Sequence, residues 1–259
     1  MIRLEAITLA YPTRHGDVVA VRDLSLDVKR GEFAAVVGPS GCGKSTLMKL
    51  VTGLVKPTKG RVVVDNHTVN GPLKIAGMAF QNANMLPWRS VLDNVLLPLE
   101  IVEPFRSQFR QKRASYVERA EALLTSVGLS GFSHRYPWEM SGGMQQRASL
   151  CRALIHEPAL LMLDEPFAAL DAFTREELWC VLRDMWQRLQ FTVVLVTHDL
   201  REAAFLADHI HVMSARPGRV IKTKHVAFEK PRDLDVCYTP PFVDLVHELR
   251  QDIAEVRTS

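Results

Sequence analysis

Short runs of alternating or wholly apolar residues divide the first third of the chain. They are IRLEAITL, VAVRDLSLDV, FAAVV, RVVVD and MAF, and glycine, proline or asparagine turn signals bound each run. Alternation with a period of two, or a short apolar block between turn residues, is typical of β-strands. The pattern therefore predicts strands throughout this region.

From Ser90 to Arg152 the apolar spacing becomes helical. Within YVERAEALLTSVG, one helix face carries Val117, Ala120, Leu123, Leu124 and Val127. Strand-like runs return at ALLML and FTVVLV, and a helical stretch from Thr174 to Leu189 separates them. This order predicts a parallel α/β core that is interrupted by one helical insertion.

A turn at SARPGR is expected to close that core near Arg219. Beyond it, Pro231, Pro240 and Pro241 break a polar tail that ends in the amphipathic stretch FVDLVHELRQDI.

A glycine-rich motif lies between the strand FAAVV and the helical run STLMKLV. It matches G-x-x-x-x-G-K-[ST] with the residues Gly38, Pro39, Ser40, Gly41, Cys42, Gly43, Lys44, Ser45 and Thr46. In this context the glycines let backbone N–H groups curl around a phosphate, Lys44 reaches the β- and γ-phosphates, and Ser45 can bind Mg²⁺. The alternative is a glycine turn that caps a helix, and the flanking strand and helix favour the phosphate loop.

Two acidic residues end the apolar strand LLML. Strands of α/β folds place ligands at their carboxyl ends, which is where Asp164 and Glu165 follow one another. Asp164 suits Mg²⁺, and Glu165 could position or deprotonate a water that attacks the γ-phosphate. A solvated strand end would be the simpler interpretation of an isolated pair, but a phosphate loop in the same chain favours catalysis.

A second candidate anion site opens the helical run MQQRASLCRAL. There Ser141, Gly142 and Gly143 present free backbone N–H groups, although an N-cap with a glycine turn would give the same pattern. The chain has one phosphate loop but two such helix termini. A symmetric pair of chains could therefore share each nucleotide.

Charge, cysteine spacing and the lack of long apolar runs argue against nucleic-acid binding, a zinc site and a membrane-spanning segment. The 32 basic and 29 acidic residues give a net charge of +3, which is too small to argue for nucleic acid. The four cysteines lack CxxC pairing, which favours reduced thiols over a zinc site. No export signal or run of about 20 apolar residues is visible, so a membrane role is expected to come through a partner.

In this order the motifs resemble those of the ATP-binding subunits of ABC transporters, and the resemblance covers nearly all of the chain. Four further positions match the family's motifs in addition to the three motifs above. They are Tyr11 before the phosphate loop, Gln81 after a strand, the segment Ala168-Ala169-Leu170-Asp171, and His198 in VTHD. The resemblance implies that Tyr11 stacks on adenine, that Gln81 joins Ser45 and Asp164 around Mg²⁺, and that His198 contacts the γ-phosphate. It also implies catalytic roles for Glu165, His198 and Lys44.

The resemblance further implies that the nucleotide of a second chain is contacted by Ser141, Gly142, Gly143 and Asp171. Each added residue also has a local alternative. Tyr11 could be a strand aromatic, Gln81 a polar strand end, Asp171 a helix N-cap for Thr174 onward, and His198 a satisfied residue after a strand.

The fold implied is α/β, a P-loop NTPase core of the ABC ATPase type with an inserted helical subdomain and an N-terminal antiparallel β region. Its expected parts are 1–86 for the first part of the ATPase core, 87–153 for the helical signature subdomain, 154–218 for the second part of the core, and 219–259 for a C-terminal tail.

Three segments resemble one branch of the family, the importers of nitrate, sulfonates and taurine. They are FQNANMLPWRSVLDNV, SGGMQQR and SARPGR. This resemblance implies an ATPase that uses ATP and Mg²⁺, pairs with itself or another ATPase subunit, and energises a membrane permease from the cytoplasmic face of the inner membrane. A periplasmic or lipid-anchored solute-binding protein would be an indirect partner, and nucleic acid would not be one. The alternative is a soluble ABC ATPase that is not coupled to transport.

Three features stay open. The basic cluster Arg106, Arg110, Lys112 and Arg113 could lie near lipid, although a solvated face is favoured. The segment from Met85 to Trp88 could contact a permease helix or pack inside the helical insertion. Cys42 could be an acidic thiol, but we interpret it as a tolerated small residue.

Overall fold

A computed structural model describes residues 1–14, 16–168 and 170–258. Ala169, one residue of the matching segment Ala168-Ala169-Leu170-Asp171, lies outside the described residues. The strands are β1 Ile2–Thr13, β2 Gly16–Val28, β3 Phe33–Val37, β4 Lys59–Val64, β5 His67–Thr68, β6 Ala76–Ala79, β7 Leu160–Asp164, β8 Thr192–Val196, β9 His209–Met213 and β10 Val220–His225. The α-helices are α1 Lys44–Val51, α2 Val91–Ile101, α3 Phe105–Gln108, α4 Arg113–Ser126, α5 Gly142–Leu154, α6 Ala172–Leu189, α7 Leu200–Leu206 and α8 Pro240–Thr258.

The contacts within the chain separate two compact units. The first consists of Met1–Leu73 together with Trp186–Ser259, and the second of Lys74–Met185. The boundaries that the resemblance implies at residues 86, 153 and 218 stay a prediction.

The first unit contains an antiparallel sheet with the strand order β2-β1-β4-β5. Along β1 the apolar residues Ile2, Leu4, Ile7 and Leu9 are buried, because alternate side chains of a strand face the same side. The N-terminal antiparallel β region is therefore confirmed.

The first unit also contains the strands that carry the phosphate loop. There β3 pairs in parallel with both β8 and β9, and β10 pairs antiparallel with β9. Every residue of β3 and β8 is buried, as expected for central strands of a parallel sheet. The α/β class predicted from the sequence is confirmed.

In the second unit, β6 and β7 pair in parallel beside a group of helices. Helix α5 packs closely on β6. A Cβ atom added at Gly77 of β6 would lie only 2.1 Å from the carbonyl oxygen of Ala153 in α5, so glycine allows this close approach. The buried side of α2 includes Val91, Val95 and Leu99. The predicted helical insertion is confirmed as a region of several helices.

The strands β9 and β10 were not predicted. They lie on either side of the position where the sequence indicated a closing turn, and β10 occupies part of the expected polar tail.

Among the described residues no helix combines the length and the apolar character that crossing a membrane requires.

Candidate functional site

The phosphate loop of the first unit connects the buried strand β3 to α1, as predicted. Gly41 and Gly43 have φ angles of 75° and 107°, a region that favours glycine. A Cβ atom at Gly43 would also lie 2.9 Å from Cγ1 of Val21. The N-cap of α1 is Gly43, which has no side chain to cap the helix, and the N-terminus of a helix presents backbone N–H groups. Ser45 and Thr46 lie in this first turn.

The ammonium group of Lys44 is held inside the loop. Its Nζ atom donates to the carbonyl oxygens of Gly38 at 2.8 Å and Pro39 at 3.0 Å, and the residue is only 7% exposed. In the described part of the chain no carboxylate pairs with it. A buried cation that is compensated only by neutral carbonyls favours an anionic ligand beside it.

Cys42 is buried next to this lysine, with Sγ 4.0 Å from Lys44 Nζ. Burial raises the pKa of the Cys42 thiol, and this effect exceeds the opposing effect of the lysine charge. The acidic-thiol alternative is therefore wrong, and the residue is a small buried group of the loop.

The structure brings His198 to the phosphate loop. His198 is exposed two residues after the end of β8, and it lines a cleft of 440 Å³ together with Gly38 and Ser40. Tyr11 lies elsewhere in the first unit, half-buried in β1 opposite Val18 of β2. It is a strand residue, as its local alternative describes, and it does not line that cleft.

In the second unit, the acidic pair and Gln81 end neighbouring strands. Ala79 pairs with Leu163, so Gln81 and Glu165 each follow the last paired residue by two positions. Because β6 and β7 are parallel, Gln81, Asp164 and Glu165 meet at one edge of the strand pair. Glu165 has a φ angle of 48°, an unfavourable value for a non-glycine residue that costs roughly 1–2 kcal/mol. Strain of this kind concentrates at functional sites.

Two residues that the sequence analysis missed hold the segment around Gln81. Gln146 of α5 is 4% exposed and donates from Nε2 to the carbonyl oxygen of Phe80 at 2.7 Å. Arg152 of the same helix donates to the carbonyl oxygens of Ala83 and Asn84. The helix that begins at the Ser141 motif thus positions the chain before and after Gln81. The residue types alone did not indicate these contacts, because a glutamine or an arginine in a helix has many possible partners.

Ser141 and Asp171 are both helix caps, as their local alternatives describe. Ser141 Oγ accepts from the backbone N–H of Met144 at 3.2 Å, and Asp171 Oδ1 accepts from that of Thr174 at 3.0 Å. The Thr174 N–H holds the pKa of the Asp171 carboxyl below its usual range. Capping uses one side-chain acceptor in each case, and the role of both residues in a second chain's site stays a prediction.

The two glycines after Ser141 differ in what surrounds them. A Cβ atom at Gly143 would lie 2.9 Å from Cδ2 of Leu170, whereas one at Gly142 would meet no heavy atom within 4 Å. Gly142 has a helical φ angle. Among the described residues, neither backbone conformation nor internal packing therefore requires glycine at 142.

Comparison with known proteins places these motifs in one family. A family model described as ABC transporter matches residues 21–168, which is more than half of the chain. The nitrate import ATP-binding protein NrtD of Synechococcus elongatus is 39% identical, over 93% of this chain and 86% of the relative.

Two further relatives have similar identity. The taurine import ATP-binding protein TauB of Yersinia pestis is 42% identical, over 81% of this chain and 79% of its own length. The aliphatic sulfonates import ATP-binding protein SsuB of Bacillus licheniformis is 42% identical, over 82% of this chain and 79% of the relative. A solved dimeric ATP-binding cassette, MJ0796 in a post-hydrolysis state bound to ADP and Pi, superposes with a TM-score of 0.76 at 31% identity, covering 88% of this chain and 100% of that one.

Proposed function

Because this chain belongs to the ABC transporter family, we propose that it is the ATP-binding and ATP-hydrolysing subunit of an importer for a small solute such as nitrate, a sulfonate or taurine. The observation that carries the proposal is the buried ammonium of Lys44, which donates to loop carbonyls and, within the described residues, pairs with no carboxylate. A polyphosphate supplies the negative charge that this group lacks, and the first-turn N–H groups of α1 add donors for the same anion.

The partners follow from the same family. The chain pairs with a second ATPase subunit and energises a membrane permease, lying peripherally at the cytoplasmic face of the membrane. A periplasmic or lipid-anchored solute-binding protein is an indirect partner. Support comes from relatives that are named import ATP-binding proteins and from a similar cassette that is dimeric. No observation favours an ATPase that is uncoupled from transport.

The proposed nucleotide-binding residues fall into two groups, one from each of two paired chains. Within one chain, ATP is bound by Tyr11, by the loop from Gly38 to Thr46, and by Gln81. The second chain contributes Ser141, Gly142, Gly143 and Asp171. Gly142 supports this division, because open space at its Cβ position suits close approach of a phosphate from another chain.

The donor set proposed for Mg²⁺ is chemically suitable. Ser45, Gln81 and Asp164 offer a hydroxyl, an amide oxygen and a carboxylate, which are the hard oxygen ligands that this ion prefers. Gln81 and Asp164 end adjacent parallel strands, which supports a shared ligand at that edge. When bound, the ion neutralises charge on the phosphate oxygens. Within the described ranges, no group of three or more histidine, cysteine, aspartate or glutamate residues could hold a metal by itself.

Glu165 is the proposed catalytic base. It accepts a proton from water as the water oxygen bonds to the γ-phosphorus, and the bond from that phosphorus to the bridging oxygen of ADP breaks. Lys44 keeps the phosphates in place, and His198, on the wall of the same cleft as Ser40, contacts the γ-phosphate.

The substitution Glu165→Gln tests this proposal. It keeps the size and the hydrogen bonding of the side chain but removes the base, so ATP binding should survive while hydrolysis falls by about 10²–10⁴-fold. A dimer that depends on ATP should then accumulate in size-exclusion chromatography. The exposed Glu118 of α4 offers a matched control, and Glu118→Gln should hydrolyse ATP at the parental rate.

Two outcomes would contradict the assignment. Hydrolysis at the parental rate in Glu165→Gln would mean that another group positions the water, with His198 as the first candidate. Loss of ATP binding would mean that Glu165 supports the metal or the fold instead. The solute is tested separately, by uptake of labelled nitrate, taurine or an alkanesulfonate into vesicles that contain the chain with its permease.

A further inference from the structure

The cleft beside the phosphate loop has a second wall that the proposed site does not use. Besides Gly38, Ser40 and His198, its lining includes Arg250 of α8, with Ile253 and Ala254 one turn further on. Positions 250, 253 and 254 share one helix face, because residues three and four apart are neighbours on a helix. The C-terminal helix therefore presents one face to the cleft that begins at the phosphate loop.

The opposite face of α8 is fixed to β10. Asp252 is 8% exposed and pairs with Lys222, at 2.7 Å between Nζ and Oδ1, and with Lys224, at 3.4 Å between Nζ and Oδ2. Lys224 also pairs with Glu248, one turn earlier in α8. Leu249 is fully buried. These contacts hold the backbone that carries Arg250, so its position at the cleft is built into the fold.

Arg250 is the charged group of this cleft. Of the described residues that line it, Arg250 alone carries a permanent charge, and none is a carboxylate. Its side chain is exposed, and among the residues that the structure describes it has no ion pair or hydrogen bond. A guanidinium group presents its N–H donors as a planar fork that can bind two oxygens of one phosphate. In Arg250 these donors are unused within the described part of the chain, and the group lies in the same cleft as a loop shaped for phosphate.

We propose that Arg250 is a further nucleotide-binding residue, whose guanidinium contacts the terminal phosphate of ATP. This inference rests on the proposed function and adds a residue to the same site. The terminal phosphate is favoured over the others because Arg250 shares its cleft with His198, the residue that we propose contacts the γ-phosphate, and with Ser40. ADP lacks this phosphate, so Arg250 distinguishes ATP from ADP.

The test compares the affinity of the full chain for ATPγS and for ADP by isothermal titration calorimetry. In Arg250→Ala the dissociation constant for ATPγS should rise about tenfold, as expected for one charge-assisted contact, while that for ADP changes less than about twofold. Arg250→Lys keeps the charge but not the fork and should lose less affinity. Arg188 is an exposed arginine at the end of α6 outside the cleft, and Arg188→Ala should leave both affinities unchanged.

The ADP affinity serves as an internal check of folding. Unchanged ATPγS affinity in Arg250→Ala would overturn the inference, and so would equal weakening for both nucleotides. A different result would refute the proposed function, namely that Lys44→Ala binds ATPγS with the parental affinity. Loss of binding in Lys44→Ala together with parental binding in Arg250→Ala would refute the role of Arg250 alone.

Discussion

Replacing Gly142 with alanine separates the stability of the chain from its activity. Gly142 is the first residue of α5, its φ angle is helical, and an added Cβ atom meets no heavy atom within 4 Å. Alanine fits this backbone without strain and restricts the unfolded chain, which stabilises a protein by about 0.4–1 kcal/mol. For a chain of this size, 1 kcal/mol corresponds to about 2–4 °C in Tm. We therefore expect Gly142→Ala to raise Tm by about 1–4 °C in calorimetry.

Activity should change in the opposite direction. If the phosphates of a second chain approach Gly142 when two chains close, the added methyl group lies between them and the N–H groups of α5. Loss of one charge-assisted hydrogen bond there reduces binding about tenfold. Phosphate release in the presence of ATP should fall by about the same factor or more.

Two other glycines serve as controls for Gly142→Ala. Gly71 also has open space around its Cβ position and no positive φ angle, so Gly71→Ala should gain stability and keep the parental rate. Gly143→Ala should gain less stability, because Leu170 must move away from the new methyl group. Parental hydrolysis by a folded Gly142→Ala chain would refute the shared-site reasoning. A lower Tm would refute the argument from open space.

Two further predictions concern the pairing of chains and the attachment of the tail. Mixing Lys44→Ala chains with Ser141→Arg chains should restore one intact site per heterodimer and recover part of the ATPase activity, and verified heterodimers without activity would count against sharing. Arg232 is 3% exposed and donates from Nη1 to the carbonyl oxygens of Phe205 and Ala207, both at 2.8 Å. Arg232→Ala leaves both acceptors without this donor and should lower the free energy of unfolding in urea by about 2–4 kcal/mol, whereas a change below about 0.5 kcal/mol would contradict this role.

The strands and the phosphate loop were predictable because their signals are local. In β3 and β8 each run of apolar residues is buried along its whole length. The loop requires glycine at positions where φ is positive, and Lys44 follows directly on the same short segment. Burial and backbone conformation leave a direct trace in the residue types of such segments.

The support of Gln81 could not be predicted, because it depends on contacts between distant segments. Gln146 reaches Phe80 across 66 positions of the chain, and Arg152 reaches Asn84 across 68. A glutamine or arginine in a helix has many possible partners, and its residue type does not select among them. Only the packing of α5 against β6, at Gly77, brings these donors to the segment around Gln81.

The strands β9 and β10 were missed because their polar residues are neutralised by the fold. In HIHVM, burial lowers the pKa of His211 to about 4, so this residue is neutral at pH 7 and packs as a core residue. In VIKTKH, Lys222 and Lys224 face acidic residues of α8 and pair with Asp252. The charges that made this segment resemble a solvated tail are thus the ones that attach α8 to the sheet. Because that attachment also places Arg250 at the phosphate-loop cleft, the tail belongs to the nucleotide site that we propose.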